Sequence, residues 1–155
     1  MKVNKYLYLL GVVLVLSQCR EKQVGAEDTV ISSNIVISVA EQYVVGEKSV
    51  YLYGQTTTSY SCGNRSIVTE KITGENQFSI QYQQISSRTY CNGQSGPAFS
   101  SVRLGTLPNG DYKLELNGPG WENKGVLRID STNITLIFDK LKGVEIPTPT
   151  IKREQ

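Results

Sequence analysis

The chain has 155 residues, 16 Lys and Arg against 14 Asp and Glu, three Cys and no His. That length suits one domain, and the lack of His excludes Ser-His-Asp and Cys-His nucleophilic centres together with the commonest base near pH 7. A net charge of only +2 supplies no basic stripe for phosphates, so nucleic acid is not an expected partner.

Lys2 and Lys5 precede an uncharged apolar run, Tyr6 to Leu16, which Ser17-Gln18-Cys19-Arg20 ends abruptly. Such a run is too short to span a bilayer comfortably, and predicts an export signal over residues 1–18. Leu16-Ser17-Gln18-Cys19 resembles the lipobox of bacterial lipoproteins, with Gln18 where Gly, Ala or Ser is usual. The resemblance implies a diacylated Cys19 as mature N-terminus and anchoring to the outer membrane through that lipid. Losing residues 1–18 removes two lysines and no acid, so the mature chain is formally neutral. With Cys19 lipidated, Cys62 and Cys91 are expected to pair in an oxidising compartment. The loop of 28 intervening residues would contribute about 3–4 kcal/mol in the chain-entropy model. Their spacing is not Cys-x-x-Cys and there is no His, so no metal site is expected.

Residues 19–29 are charged and aperiodic, and read as a tether. The domain is expected over 30–146. Val30 to Val39 is β-branched, Ala40 to Lys48 reads as a connection, and Ser49 to Tyr53 is a strand with Tyr51 and Tyr53 on one face. Which of its faces is inward is left open. Ser66 to Ile72 and Gln77 to Tyr82 form a hairpin candidate, with Phe78, Ile80 and Tyr82 on one side. The organising stretch runs from Gly96 to Leu116. Val102 and Leu104 alternate with polar neighbours, Leu107-Pro108-Asn109-Gly110-Asp111 turns the chain, and Tyr112, Leu114 and Leu116 alternate again. Tyr112 so placed predicts a tyrosine corner. Residues 117–125 read as a Gly-rich loop carrying Trp121. Val126 to Asp130 and Asn133 to Asp139 form a second hairpin, and 147–155 an extended tail. Seven to eight short strands without helical periodicity predict an all-β, immunoglobulin-like antiparallel sandwich, with a lipocalin-like barrel as the alternative.

Ser59-Tyr60-Ser61-Cys62, Cys91, Gly96-Pro97-Ala98, the Leu107 to Tyr112 turn and Gly125-Val126-Leu127-Arg128-Ile129 together resemble a group of small lipoproteins of the Bacteroidota. The likeness spans residues 59–146 and implies a cell-envelope address and a β-sandwich, with no activity to carry over. Asp28-Thr29-Val30 and Asp130-Ser131-Thr132 resemble the O-glycosylation acceptor of those bacteria, which implies Thr29 and Ser131 as candidate modified residues.

Catalysis is not expected. The carboxylates Glu70, Glu75, Asp111, Glu115, Glu122, Asp130 and Asp139 are scattered over turns and polar faces, whereas glycosidase chemistry needs two facing each other across a cleft. No phosphate-cradling loop or calcium loop occurs, so no cofactor is expected. Trp121 is the candidate binding residue, as an exposed loop indole able to stack on a sugar or anchor a partner, unless it folds back to cap the sandwich. An aromatic strip of Tyr51 and Tyr53 is a further possibility. The expected function is therefore a lipid-anchored cell-envelope binding or structural accessory module, with adhesion, a glycan or an envelope protein as its business. The alternatives are a secreted hydrolase inhibitor using loop 117–125 and a lipocalin-like carrier of small ligands.

Overall fold

Apolar residues at every second position lay the chain out as strands, since successive side chains of an extended backbone point to opposite faces. The computed structural model describes residues 29–86 and 93–153, among which there is no helix. The strands are β1 (Ile35–Val44), β2 (Glu47–Tyr60), β3 (Ile67–Gly74), β4 (Gln77–Ile85), β5 (Gly96–Gly105), β6 (Gly110–Gly118), β7 (Trp121–Ile129), β8 (Asn133–Phe138), β9 (Val144–Glu145) and β10 (Thr150–Lys152). They form a four-stranded sheet, β5–β2–β1–β9, and a six-stranded sheet, β10–β8–β7–β6–β4–β3. The two pack as a β-sandwich and do not close into a barrel. Ile35, Ile37 and Leu52 of the small sheet and Ile80, Tyr82, Leu114, Leu116, Leu127 and Ile134 of the large one have no exposed surface and belong to one core cluster.

The β1–β2–β5 order and the β5–β6 crossing follow the A–B–E strands and E–F corner of an immunoglobulin-type sandwich. The large sheet departs from that plan, because β4 and β6 pair in parallel. Both local hairpins form as expected. β3 and β4 turn at Glu75-Asn76, and β7 and β8 turn where the Asp130 carboxylate accepts the N–H groups of Thr132 and Asn133. Those hydrogen bonds hold its carboxyl below the usual carboxylate range.

One expectation is refined and three are corrected. The stretch 96–116, read as strand, turn and strand, forms an arch between the sheets: β5 pairs with β2 in the small sheet, whereas β6 pairs with β4 and β7 in the large one. The tyrosine corner sits on that arch, with the Tyr112 hydroxyl donating to the Pro108 carbonyl at 2.8 Å. Residues 40–48 are no loose connection, since pairing runs to Val44↔Glu47 and only Val45 and Gly46, at φ 52° and 84°, reverse the chain. Both residues at positive φ suit a tight type I′ turn. Residues 117–125 are a hairpin with Gly118 opposite Trp121, turned by Pro119-Gly120. Finally, the domain passes Ile146, because Thr150–Lys152 leaves the extended tail to pair with β8.

Candidate functional site

The outer face of the small sheet brings together three aromatic side chains, Tyr51, Tyr53 and Phe99. On β2, Val50, Leu52, Gly54 and Thr56 point inward and are buried, so Tyr51, Tyr53 and Gln55 point outward. Gly54 is required on the inner side: a Cβ there would run into Ser100 and crowd Ile35 and the Tyr82 ring of the opposite sheet. Pairing on both flanks sets the outer face in rows. Ala40, Tyr51 and Arg103 make one row, Ser38, Tyr53 and Ser101 the next, and Val36, Gln55 and Phe99 the third.

The Tyr51 and Tyr53 rings lie nearly parallel, 13° apart in plane, with centroids 6.1 Å apart. Phe99 is 49% exposed on the neighbouring strand. Beside Tyr51, the Arg103 guanidinium folds onto the sheet, its Nε and Nη2 donating to Ser49 Oγ at 3.2 and 2.9 Å. Ser49 is thereby fully covered although it lies on the outer side. Where the β2–β5 register shifts after Gln55, Thr56 Oγ1 accepts the Ala98 N–H at 2.9 Å and so keeps the strand carrying Phe99 in place. The face bears one formal charge over these three rows, at Arg103. Glu145, on β9 at the far edge, accepts a hydrogen bond from Asn34 Nδ2.

Trp121 is placed otherwise than its Gly-rich surroundings suggest. It begins β7 in the other sheet, is half-buried against the core, and has its ring centroid 6.1 Å from that of Tyr82. Gly118 and Gly143 leave room for the indole, which any Cβ at either position would overlap. Burial pushes the Tyr82 phenol far above its ordinary value, and its hydroxyl has no partner among the described residues. Trp121 and Tyr82 thus fill one interior stack.

The other candidate residues are dispersed. Ser131 is exposed on the β7–β8 turn. Thr29 is exposed, with its backbone tied to Ile85 and its Oγ1 accepting from Arg65 Nη1 at 3.3 Å. Cys62 is half-buried just after β2, while Cys19 and Cys91 lie outside the described residues. Among the carboxylates, Asp111 is paired with Arg128 at 2.8 Å, Glu122 with Lys124 at 2.9 Å, and Glu70 accepts from Gln83. A shallow depression of about 610 Å³ lies between Glu122, Lys124, Asp139 and Lys142. No group of three or more His, Cys, Asp or Glu able to hold a metal occurs among the described residues. The described residues hold no helix long and apolar enough to cross a membrane.

Tyr51 and Tyr53 are visible in the sequence as a pair, but their outward orientation is not. Phe99 and Arg103 join them only through the pairing of β2 with β5, some fifty residues apart, and nothing local signals that partnership. No protein-family model matches the chain, and neither does any curated protein or solved structure.

Proposed function

We propose that this protein is a non-catalytic binding or structural accessory module of the cell envelope, held at the outer membrane by a lipidated Cys19 and stapled by a Cys62–Cys91 disulfide. The observation that carries the reading is the outer face of the small sheet, where Tyr51, Tyr53 and Phe99 stand on a rigid, paired framework. Aromatic groups displayed together on a firm sheet suit recognition, since they contribute large contact areas with little conformational entropy to lose. Of the carboxylates, Asp111 and Glu122 are engaged by Arg128 and Lys124, and Asp130 by its own turn. The inhibitor alternative would act through a tight hairpin at 117–125 rather than an open loop. The carrier alternative loses support with the open, two-sheet arrangement.

Fractionation of the producing cells tests the anchor. The wild-type chain is expected in the membrane fraction at its processed mass, and Cys19→Ala in the soluble or unprocessed fraction; identical partition of the two would overturn the anchor. Alkylation of the folded mature protein is expected to find no free thiol at Cys62 or Cys91 and both after reduction. Two accessible thiols before reduction would overturn the staple.

A further inference from the structure

We infer that the outer face of the four-stranded sheet is a binding site for an uncharged polysaccharide, with Tyr51, Tyr53 and Phe99 as its stacking platform. This rests on the binding-module reading and names the ligand class for it. The first ground is chemical. A pyranose ring shows axial C–H groups on one face, and these meet the electron-rich face of an aromatic ring favourably. Tyr51 and Tyr53 stack on each other, nearly parallel with centroids 6.1 Å apart, and with exposed Phe99 one strand away they form an aromatic surface for a sugar to lie against. Between them stand Ser38, Ser101 and Gln55, whose hydroxyl and amide groups both donate and accept hydrogen bonds, as sugar hydroxyls do.

The second ground is charge. Arg103 is the one formal charge on the rows of β1, β2 and β5, with two of its nitrogens engaged by Ser49; Glu145 continues the third row on β9, and Lys71 Nζ donates to the Arg103 carbonyl at the other edge. Glu145 at the edge is held by Asn34. A uronic acid polymer or a charged peptide finds no matching array of counter-charges here, whereas a neutral chain needs none. The third ground is size. Three strands about 4.8 Å apart, with about ten residues of 3.4 Å each, give a face of roughly 490 Å². A stable protein interface needs about 800 Å² on each partner, so a second copy of this chain is a poor occupant and a sugar chain a fitting one.

Affinity electrophoresis of the full mature chain in non-ionic detergent tests the assignment, in gels carrying hydroxyethylcellulose, xylan, mannan or dextran, with polygalacturonate as the acidic comparison. Retardation by at least one neutral polymer and none by polygalacturonate is expected. The double variant Tyr51→Ala/Tyr53→Ala should weaken that binding at least about tenfold, the loss typical of removing aromatic anchors. Ser101→Asp keeps every ring and places a charge in the middle row, so it should weaken binding comparably with an unchanged circular dichroism spectrum. Ile137→Ser, on the outer side of the other sheet, should bind as wild type. No retardation by any neutral polymer, retardation by polygalacturonate alone, or undiminished binding by both platform variants would overturn the proposal. If the neutral polymers fail while the immobilised chain still captures an envelope protein through Tyr53, the polysaccharide assignment falls and the accessory-module reading stands.

Discussion

The Tyr112 hydroxyl reaches back four residues to the Pro108 carbonyl, and that one bond shapes the crossing between sheets. Pro108 is exposed, so water can replace the phenol there. Tyr112→Phe is therefore expected to lower stability by about 1 kcal/mol, the usual net contribution of such a bond. Urea unfolding should show a lower midpoint with an unchanged slope. Trp121 contributes by volume. Its ring fills the space left by Gly118 and Gly143 and packs on Tyr82, so Trp121→Ala should cost roughly 2–4 kcal/mol, somewhat less than a fully buried aromatic. Because it belongs to the sheet opposite the tyrosine platform, polymer retardation by that variant should match the wild type.

At the level of strands and turns, Val45 occupies a conformation that costs a β-branched residue energy, at φ 52°, and its side chain is fully exposed. It has no packing to lose. Val45→Asn puts the preferred Asn-Gly pair into this turn, and should raise the melting temperature, equivalent to about 0.5–1 kcal/mol, in a thermal unfolding scan. The same turn explains why the β1–β2 hairpin is hard to read: Val-Gly carries little of the signal that Asn-Gly would. The β3–β4 and β7–β8 hairpins are legible because their alternation and turn residues agree. The β5–β6 arch is half legible, as alternation tells which residues face inward and not which sheet a strand joins. Gly118, Gly120 and Gly125 with Pro119 read as loop, yet Gly118 and Gly125 lie in paired strands, and are Gly because the Trp121 and Phe138 rings leave no room for a Cβ. Of the candidate site, only the Tyr51 and Tyr53 pair is legible, since Phe99 arrives through a distant strand.

For the molecule as a whole, Arg153 joins parts that no strand pairing connects. Its guanidinium meets the Glu41 carboxylate of β1 at 2.7 Å, and also donates to Asn109 in the arch and to the Asp130 carbonyl. The Glu41 side chain is only 5% exposed and that of Arg153 18%. Removing one partner leaves the other charge largely away from water, so Glu41→Ala should destabilise by about 2–3 kcal/mol, below the loss for a fully buried pair because Arg153 retains some hydration. Guanidinium or urea titration measures this, and a change under 0.5 kcal/mol would show the pair to be ornamental.

One short stretch of chain also acts as a strap. β9 lies along β1 of one sheet, and a few residues later β10 lies along β8 of the other, so this stretch ties the two layers together at their edges. For anyone producing the protein, a purification tag fused after Gln155 begins only three residues past β10, and one placed ahead of residue 19 would leave with the expected signal, so a C-terminal tag is best joined through a flexible spacer.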